Sequence, residues 1–285
     1  MSVSRLFELD DPIDIVDIGA NAIEGPAVYE ALMRQGIGRL VGFEPQAETI
    51  GDVQTAENRT ILPWAVGNGD RVSFHRCAHS GWSSTLPPAG ETLMVFEQYA
   101  ANSRVIETLE MDTRRLDDIE QIKRVDFLKI DIQGGELAVF QNADKKLSET
   151  VFIHTEVAFI PLYENQPTFG DVDKELRDRG FIPHCFAGIK RAIIPPLVLD
   201  NDPWKTINQL LDGDIVYVRD FRKIDALSVP QLKRMAVIAH ECYNSWDLAY
   251  RLAATLESRR AIKTGATAQY LEIVNALLRT RAAKN

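Results

Sequence analysis

Three apolar runs in this chain end in acids or glycine, and their order suits the binding of a nucleoside. They are Val16-Asp17-Ile18-Gly19-Ala20-Asn21, Gly42-Phe43-Glu44-Pro45 and Leu128-Lys129-Ile130-Asp131-Ile132-Gln133-Gly134-Gly135-Glu136. In an open α/β sheet ligands lie beyond the carboxyl ends of the strands, so the polar ends of such runs converge on one crevice. Gly19 lets the first turn approach a ligand without a Cβ in the way. Glu44 stands 27 residues after Asp17, where a carboxylate can accept both hydroxyls of a ribose. The turn is not the G-x-G-x-x-G of a dinucleotide site, because the next glycine is Gly25. Asp17 would also repel a pyrophosphate, so a nicotinamide-dependent oxidoreductase is disfavoured. The loop Asp17, Gly19, Ala20 and Asn21 suits a ligand with a cationic or zwitterionic end. S-adenosylmethionine carries a sulfonium and an amino acid end, and it is the expected cofactor.

A hydroxyl that accepts a methyl group must also lose its proton, so a carboxylate or histidine is needed nearby. Asp131 ends a strand beside the crevice and is the first candidate. Glu136 opens the following helix, where the positive end of the helix dipole is expected to lower its pKa and weaken it as a base. His154 and Glu156 are two apart on a strand and share a face, so they can serve as a base and its orienter. Lys129 shares the face of Asp131 and would pair with a carboxylate of the site or tie down the strand end. His75, Cys77 and His79 sit at i, i+2 and i+4, but nothing completes a tetrahedral set. Asp131 and Glu156 are too few to establish Mg²⁺. No metal is expected. Trp82, Phe159, Tyr163 and Phe169 either stack on an acceptor or fill a core, and the spacing leaves both open.

These residues need a scaffold of alternating strands and helices. Strands are expected at Ile13–Ile18, Leu40–Glu44, Thr60–Val66, Asp126–Asp131, Phe152–Val157 and Ile215–Arg219, with Val72–Arg76 as a hairpin extension. Helices are expected from the Gly19 turn through Gln35, over Glu136–Leu147 and over Gly170–Arg179, with a surface loop at Ala78–Glu97. Such alternation means a mostly parallel sheet covered on both faces. After Phe221 the strand-like runs cease. Ser228 and Pro230 start a helix, and Leu248, Leu252 and Leu256 lie one turn apart. Tyr270, Ile273, Val274, Leu277 and Leu278 form a further stripe. Residues 1–222 therefore read as one domain and 223–285 as a helical appendage, whose stripe packs on the main domain or on a second copy.

The 285 residues are 45% hydrophobic and 26% charged, ordinary for a soluble globular chain. Ten Lys and Arg face five Asp and Glu from Lys223 onward, leaving 22 against 36 in the rest. The acidic body argues against a nucleic-acid partner, whose footprint is basic. The tail's basic surplus suits either an anionic partner or a solvated helix face. No apolar run approaches a membrane span. With no secretory signal at the N-terminus and three scattered cysteines, a reducing cytoplasm is expected.

With these segments the chain resembles FkbM-type methyltransferases, a branch of the class I S-adenosylmethionine-dependent fold. The resemblance rests on Val16–Asn21, Gly42–Pro45, Ala65-Val66-Gly67, Ser80–Ser84, Leu116–Asp118, Thr155–Val157 and Gly213–Asp220. Its most specific part is Phe127–Glu136, similar to the family's Lys-x-Asp-x-Glu-Gly-x-Glu. It implies a Rossmann-like α/β fold with seven strands, mostly parallel, one antiparallel near the edge, and helices on both faces. It also implies that Pro45, Ala65, Val66, Ser83 and Ser84 lie along the cofactor, and that a hydroxyl of a sugar or other small molecule is methylated. The chain departs at Gln133, where the family carries glutamate; an amide cannot accept a proton. That departure keeps open a non-catalytic interaction module. N-methylation is disfavoured, because no Asn/Asp-Pro-Pro-Tyr motif ends the fourth strand.

Overall fold

The computed structural model describes residues 2–20, 26–45 and 54–282. Asn21, expected in the cofactor loop, lies outside the described residues. Eleven strands are described: β1 (Ile13–Ile18), β2 (Gly38–Phe43), β3 (Gln54–Ala56), β4 (Arg59–Leu62), β5 (Ala65–Val66), β6 (Arg71–Cys77), β7 (Val105–Arg114), β8 (Phe127–Ile130), β9 (Phe152–Ala158), β10 (Phe181–Ala192) and β11 (Gln209–Arg219). Eight form one sheet in the order β10-β11-β9-β8-β1-β2-β4-β3. Neighbours from β4 to β9 run parallel, and β11 runs antiparallel between β9 and β10. This is the expected seven-stranded, mostly parallel sheet, with the short antiparallel β3 added at its edge. The chain leaves β1 toward β2 on one side and later returns to β8 on the other. That reversal opens a crevice at the carboxyl ends of β1 and β8.

Local chemistry explains where the sequence reading differs. Thr60–Val66 is not one strand. Pro63, which lacks an N–H for the ladder, separates β4 from β5, and β5 joins a second sheet in the order β5-β7-β6. Val72–Arg76 belongs to β6, whose partner is β7; β7 is exposed over most of its length, so its sequence VIETLEMDTR lacks the apolar alternation of a half-buried strand. The helix expected over Glu136–Leu147 is two, Glu136–Gln141 and Asp144–Glu149, parted at Asn142 and Ala143. Of the helix expected after Gly19, the described part is Glu30–Arg34. β10 went unread because Pro183 and Gly188 interrupt its pattern and its pairing shifts register three times.

Period-two alternation divides the core in two. Ile13 and Ile15 of β1 face one cluster, and Val16 and Ile18 face the other. The second cluster holds Val139, Phe140, Leu147, Val172 and Leu176 from the helices Glu136–Gln141, Asp144–Glu149 and Phe169–Asp178. The first is closed by the C-terminal helices Val229–Tyr243, Trp246–Ser258 and Ala266–Ala282, through Leu232, Met235, Leu252 and Tyr270. Packing thus runs straight across residue 222: the C-terminal helices share this layer with Leu6, Phe7, Leu32 and Met33 from the N-terminal part of the chain.

Ser228 and Gln231 form a capping box with Pro230 in the first turn, which sets where the covering helix begins. Part of the tail's basic surplus turns inward. Lys233 donates to the Glu8 carbonyl at 2.7 Å and to Asp10 at 2.9 Å. Arg234 stands 3.3 Å from the fully buried Asp126, which Arg124 also binds. No described helix is long and apolar enough to cross a membrane.

Leu252 is fully buried in the first cluster. Leu252→Ala is expected to cost about 2–5 kcal/mol, read as a lower urea midpoint with an unchanged slope.

Candidate active site

The sheet carries its chemistry on the face that the C-terminal helices cover. Asp17 on β1 stands in register with Lys129 on β8, and Lys129 with His154 on β9. The three form a polar row where the apolar core ends. Lys129 Nζ lies 3.6 Å from Asp17 Oδ1. Two tyrosines from the covering layer close the row from below. The Tyr29 hydroxyl donates to Asp17 Oδ2 at 2.5 Å, and the Tyr243 hydroxyl lies 3.1 Å from His154 Nδ1. On its other side His154 Nε2 is 3.7 Å from Asp214 Oδ1.

Two residues further along the strands comes a second row, Asp131 and Glu156. With Glu136 they place carboxylate oxygens within 4.8 Å of one another, a spacing that invites repulsion or a cation. Gln133 answers it with a neutral amide. Its Nε2 donates to Asp131 Oδ1 at 2.8 Å and to Glu156 Oε2 at 3.0 Å. Its Oε1 accepts from the Tyr163 hydroxyl at 2.9 Å, which fixes the amide's orientation. The backbone of Gln133 is in the left-handed region at φ 60°, a strained setting for a residue with a Cβ. Ser84 Oγ supports it by donating to the Gln133 carbonyl at 2.7 Å. Lys190 completes the cluster, with Nζ 3.2 Å from both Glu156 Oε1 and Asp212 Oδ1. It falls at a register shift in β10, where pairing passes from Ile189 to Arg191, and a bulge of this kind re-aims a side chain.

The first row and Asp131 of the second border a cavity of about 1130 Å³. Asp17, Gly19, Ala20, Glu44, Pro45, Ala65, Val66, Ser83, Asp131 and His154 line it. Ser84, Glu136 and Glu156 stand behind its wall. Gly19 has φ +84°, and a Cβ there would come 1.9 Å from the Asp131 carbonyl oxygen. The turn after β1 therefore approaches the end of β8 at Gly19 more closely than any side chain would allow.

A sequence model of the methyltransferase FkbM domain matches residues 17–183. The chain belongs to this family. It is a methyltransferase by that membership, and the match ends before Lys190, Asp212, Asp214 and Tyr243. Comparison with curated proteins found no match. Among solved structures, the precorrin-6y C5,15-methyltransferase of Geobacter metallireducens is 13% identical, covering 76% of this chain and 86% of its own, at a TM-score of 0.33. The magnesium protoporphyrin IX methyltransferase of Synechocystis PCC 6803, with bound S-adenosylmethionine, is 12% identical, with 76% of each chain covered, at a TM-score of 0.33. Likeness this distant carries no argument about the acceptor.

Within the FkbM domain the pairing of His154 with Glu156 is geometric only. They share a face, but His154 bonds toward Tyr243 and Glu156 toward Gln133 and Lys190. Glu136 also behaves differently from a helix-start acid. Burial drives its pKa up to about 7, although the backbone N–H groups of Ile132 and Gly134 bind its oxygens. Desolvation outweighs those hydrogen bonds there. Burial, then the charge of Asp131, holds Glu156 well above the usual carboxylate range, against the pull of Lys190. Burial draws Lys190 down, yet Glu156, Asp212 and Asp131 together carry it above an ordinary lysine. Burial opposes the charge on Asp214, and His154 nonetheless keeps its pKa low.

Tyr29, Lys190, Asp212, Asp214 and Tyr243 escaped sequence reading, and Tyr163 was read as an aromatic of the pocket or core without its bond to Gln133. Only Asp212-Gly213-Asp214, two acids at the start of an apolar run, carried a local signal. The others reach the site through long-range packing.

Glu136 rises from 4.5 to about 7 on folding, so the native state holds its proton more tightly. Its contribution to stability is complete below pH 4.5 and is lost as pH rises toward 7. Glu136→Gln keeps an acceptor for Ile132 and should flatten that decline in urea midpoint between pH 4.5 and 7, with Glu156 leaving a residual slope. Tyr243→Phe removes the partner of His154 Nδ1. It should shift the ¹⁵N resonances of that ring and cost about 1–2 kcal/mol in denaturant titration.

Proposed function

We propose that this chain is an S-adenosylmethionine-dependent O-methyltransferase that acts on a hydroxyl of a small molecule or carbohydrate. The observation that carries the reading is Asp131, a carboxylate at the end of β8 that faces the cavity beside the Gly19 turn. The residues present fit the cofactor. Asp17 is buried, pairs with Lys129 through Oδ1 and borders the cavity, so its carboxylate gives that end of the cavity an anionic wall toward a cationic or zwitterionic group. Glu44 is 3% exposed and borders the cavity at the end of β2, where ribose hydroxyls would meet it. The cavity exceeds the roughly 300–1,000 Å³ of a single-ligand pocket, which leaves room for an acceptor.

The bound cofactor supplies a sulfonium methyl group. The protein's part is alignment and proton transfer. Ala20, Pro45, Ala65, Val66 and Ser83 shape the cofactor side, with Ser84 fixing the Gln133 loop behind it. Asp131 takes the hydroxyl proton as the acceptor oxygen gains the methyl group. His154 is held from both sides, with the Tyr243 hydroxyl 3.1 Å from Nδ1 and Asp214 Oδ1 3.7 Å from Nε2, which suits a positioning role beside Asp131. Glu156 and Glu136 stand behind the wall and act through Asp131. Gln133, the residue that had favoured an interaction module, is accounted for by its bridge between two carboxyl groups.

Calorimetric titration with S-adenosylhomocysteine tests the reading. Micromolar binding is expected in the native protein, weakened at least tenfold in Glu44→Ala and in Asp17→Ala, with circular dichroism unchanged. Undiminished affinity in Glu44→Ala removes the ribose role. A folded native protein that binds none removes the enzyme reading.

A further inference from the structure

Large apolar side chains that remain exposed are not scattered over this protein. Sixteen are exposed among the described residues, and eight of them fall in two short segments. Ile194, Leu197, Val198, Leu199, Trp204 and Ile207 belong to the excursion between β10 and β11, with exposures of 37–57%. Met94 and Val95, at 73% and 47%, end the helix Gly90–Val95. The two segments are neighbours. Trp204 meets Tyr99 edge-on at 5.5 Å, and Phe96 packs with Ala192 and Leu211 at the roots of the excursion. Clustering of this kind marks a binding surface.

The patch continues into the cavity, which says what covers it. Trp204 and Tyr99 both line the cavity. Tyr99 contacts Trp82 at 5.5 Å, Trp82 contacts Tyr163 at 6.1 Å, and the Tyr163 hydroxyl bonds Gln133. An aromatic wall therefore runs from the exposed patch to the carboxylate cluster. The patch's charges do not suit an anionic lipid surface. Lys205 is paired with Asp200, and Asp202 accepts from the Trp204 N–H at 2.9 Å, leaving the excursion with a slight acidic excess.

Building on the proposed O-methyltransferase reading, we infer that the acceptor is an amphiphile: its hydroxylated head enters the cavity toward Asp131, and its uncharged apolar chain lies along Trp204 and the excursion Ile194–Ile207. One molecule satisfies both halves of the surface. The head meets acids and aromatic faces, and the chain covers side chains that water otherwise meets.

Hexyl, octyl and decyl β-glucosides, each below its micelle concentration, provide the probe. They are titrated by calorimetry into protein saturated with S-adenosylhomocysteine. Affinity should tighten on the order of tenfold for each added pair of methylenes. Leu197→Asp/Val198→Asp should abolish that slope while S-adenosylhomocysteine affinity stays unchanged, and Trp204→Ala should reduce it. Affinity independent of chain length, or an equal slope in the double variant, overturns the inference. So does sedimentation with phosphatidylcholine vesicles without monomer binding, which would make the patch a lipid-surface site. A dimer seen by light scattering and lost in the double variant also overturns it. Failure to bind S-adenosylhomocysteine strikes the proposed function separately, because the alkyl-chain slope is measured on different residues.

Discussion

Carboxyl groups crowd the ends of β8 and β9, and the site depends on keeping them together. Asp131, Glu136 and Glu156 lie within 4.8 Å of one another, where like charges in a buried setting repel strongly. One neutral amide and one ammonium hold the cluster. Gln133 gives both of its bridging hydrogen bonds from a single nitrogen, and it can do so only because Tyr163 fixes the amide and Ser84 fixes the strained backbone. Lys190 reaches the same cluster from an irregular strand. A glutamate at position 133 would set another carboxylate against Asp131 and Glu156. The amide at this position avoids that added charge while bridging the two groups.

The covering layer is part of that solution. Parallel strands need both faces buried, and the C-terminal helices supply one of them. Their outermost contacts with the sheet are polar. Tyr243, the last residue of its helix, bonds His154, while Tyr29 bonds Asp17 from the same side. The boundary between dry core and cavity is thus a row of hydrogen-bonded side chains. An unpaired polar group there would cost about 1–3 kcal/mol, so the layer that stabilises the fold also orients the site. This couples residues beyond the matched FkbM domain to those within it.

Much of this was legible in the chain itself. The strands β1, β2, β8 and β9 announce themselves as apolar runs ending in acids or glycine, and position along such a strand decides which end faces the crevice. Asp17, Gly19, Glu44 and Asp131 were read at the crevice for that reason, and all four line the cavity. The C-terminal helices, expected as two or three, were visible from the Ser228–Pro230 start, from leucines one turn apart and from the stripe beginning at Tyr270. β10 was not, because its bulges break the alternation on which strand reading depends. The direction of the Glu136 shift was missed because burial, which no local pattern reports, outweighs the backbone hydrogen bonds at the helix start.

By itself the sequence determined periodicity and the order of polar ends, and hence the α/β sheet and its crevice. Both are properties of neighbours along the chain. Tertiary structure alone decided which groups meet across it: Lys190 with Glu156, Tyr163 with Gln133, and Tyr243 with His154, pairs separated by 34, 30 and 89 positions. Those contacts depend on packing and on exclusion of water, which set both the distances and the protonation of the site.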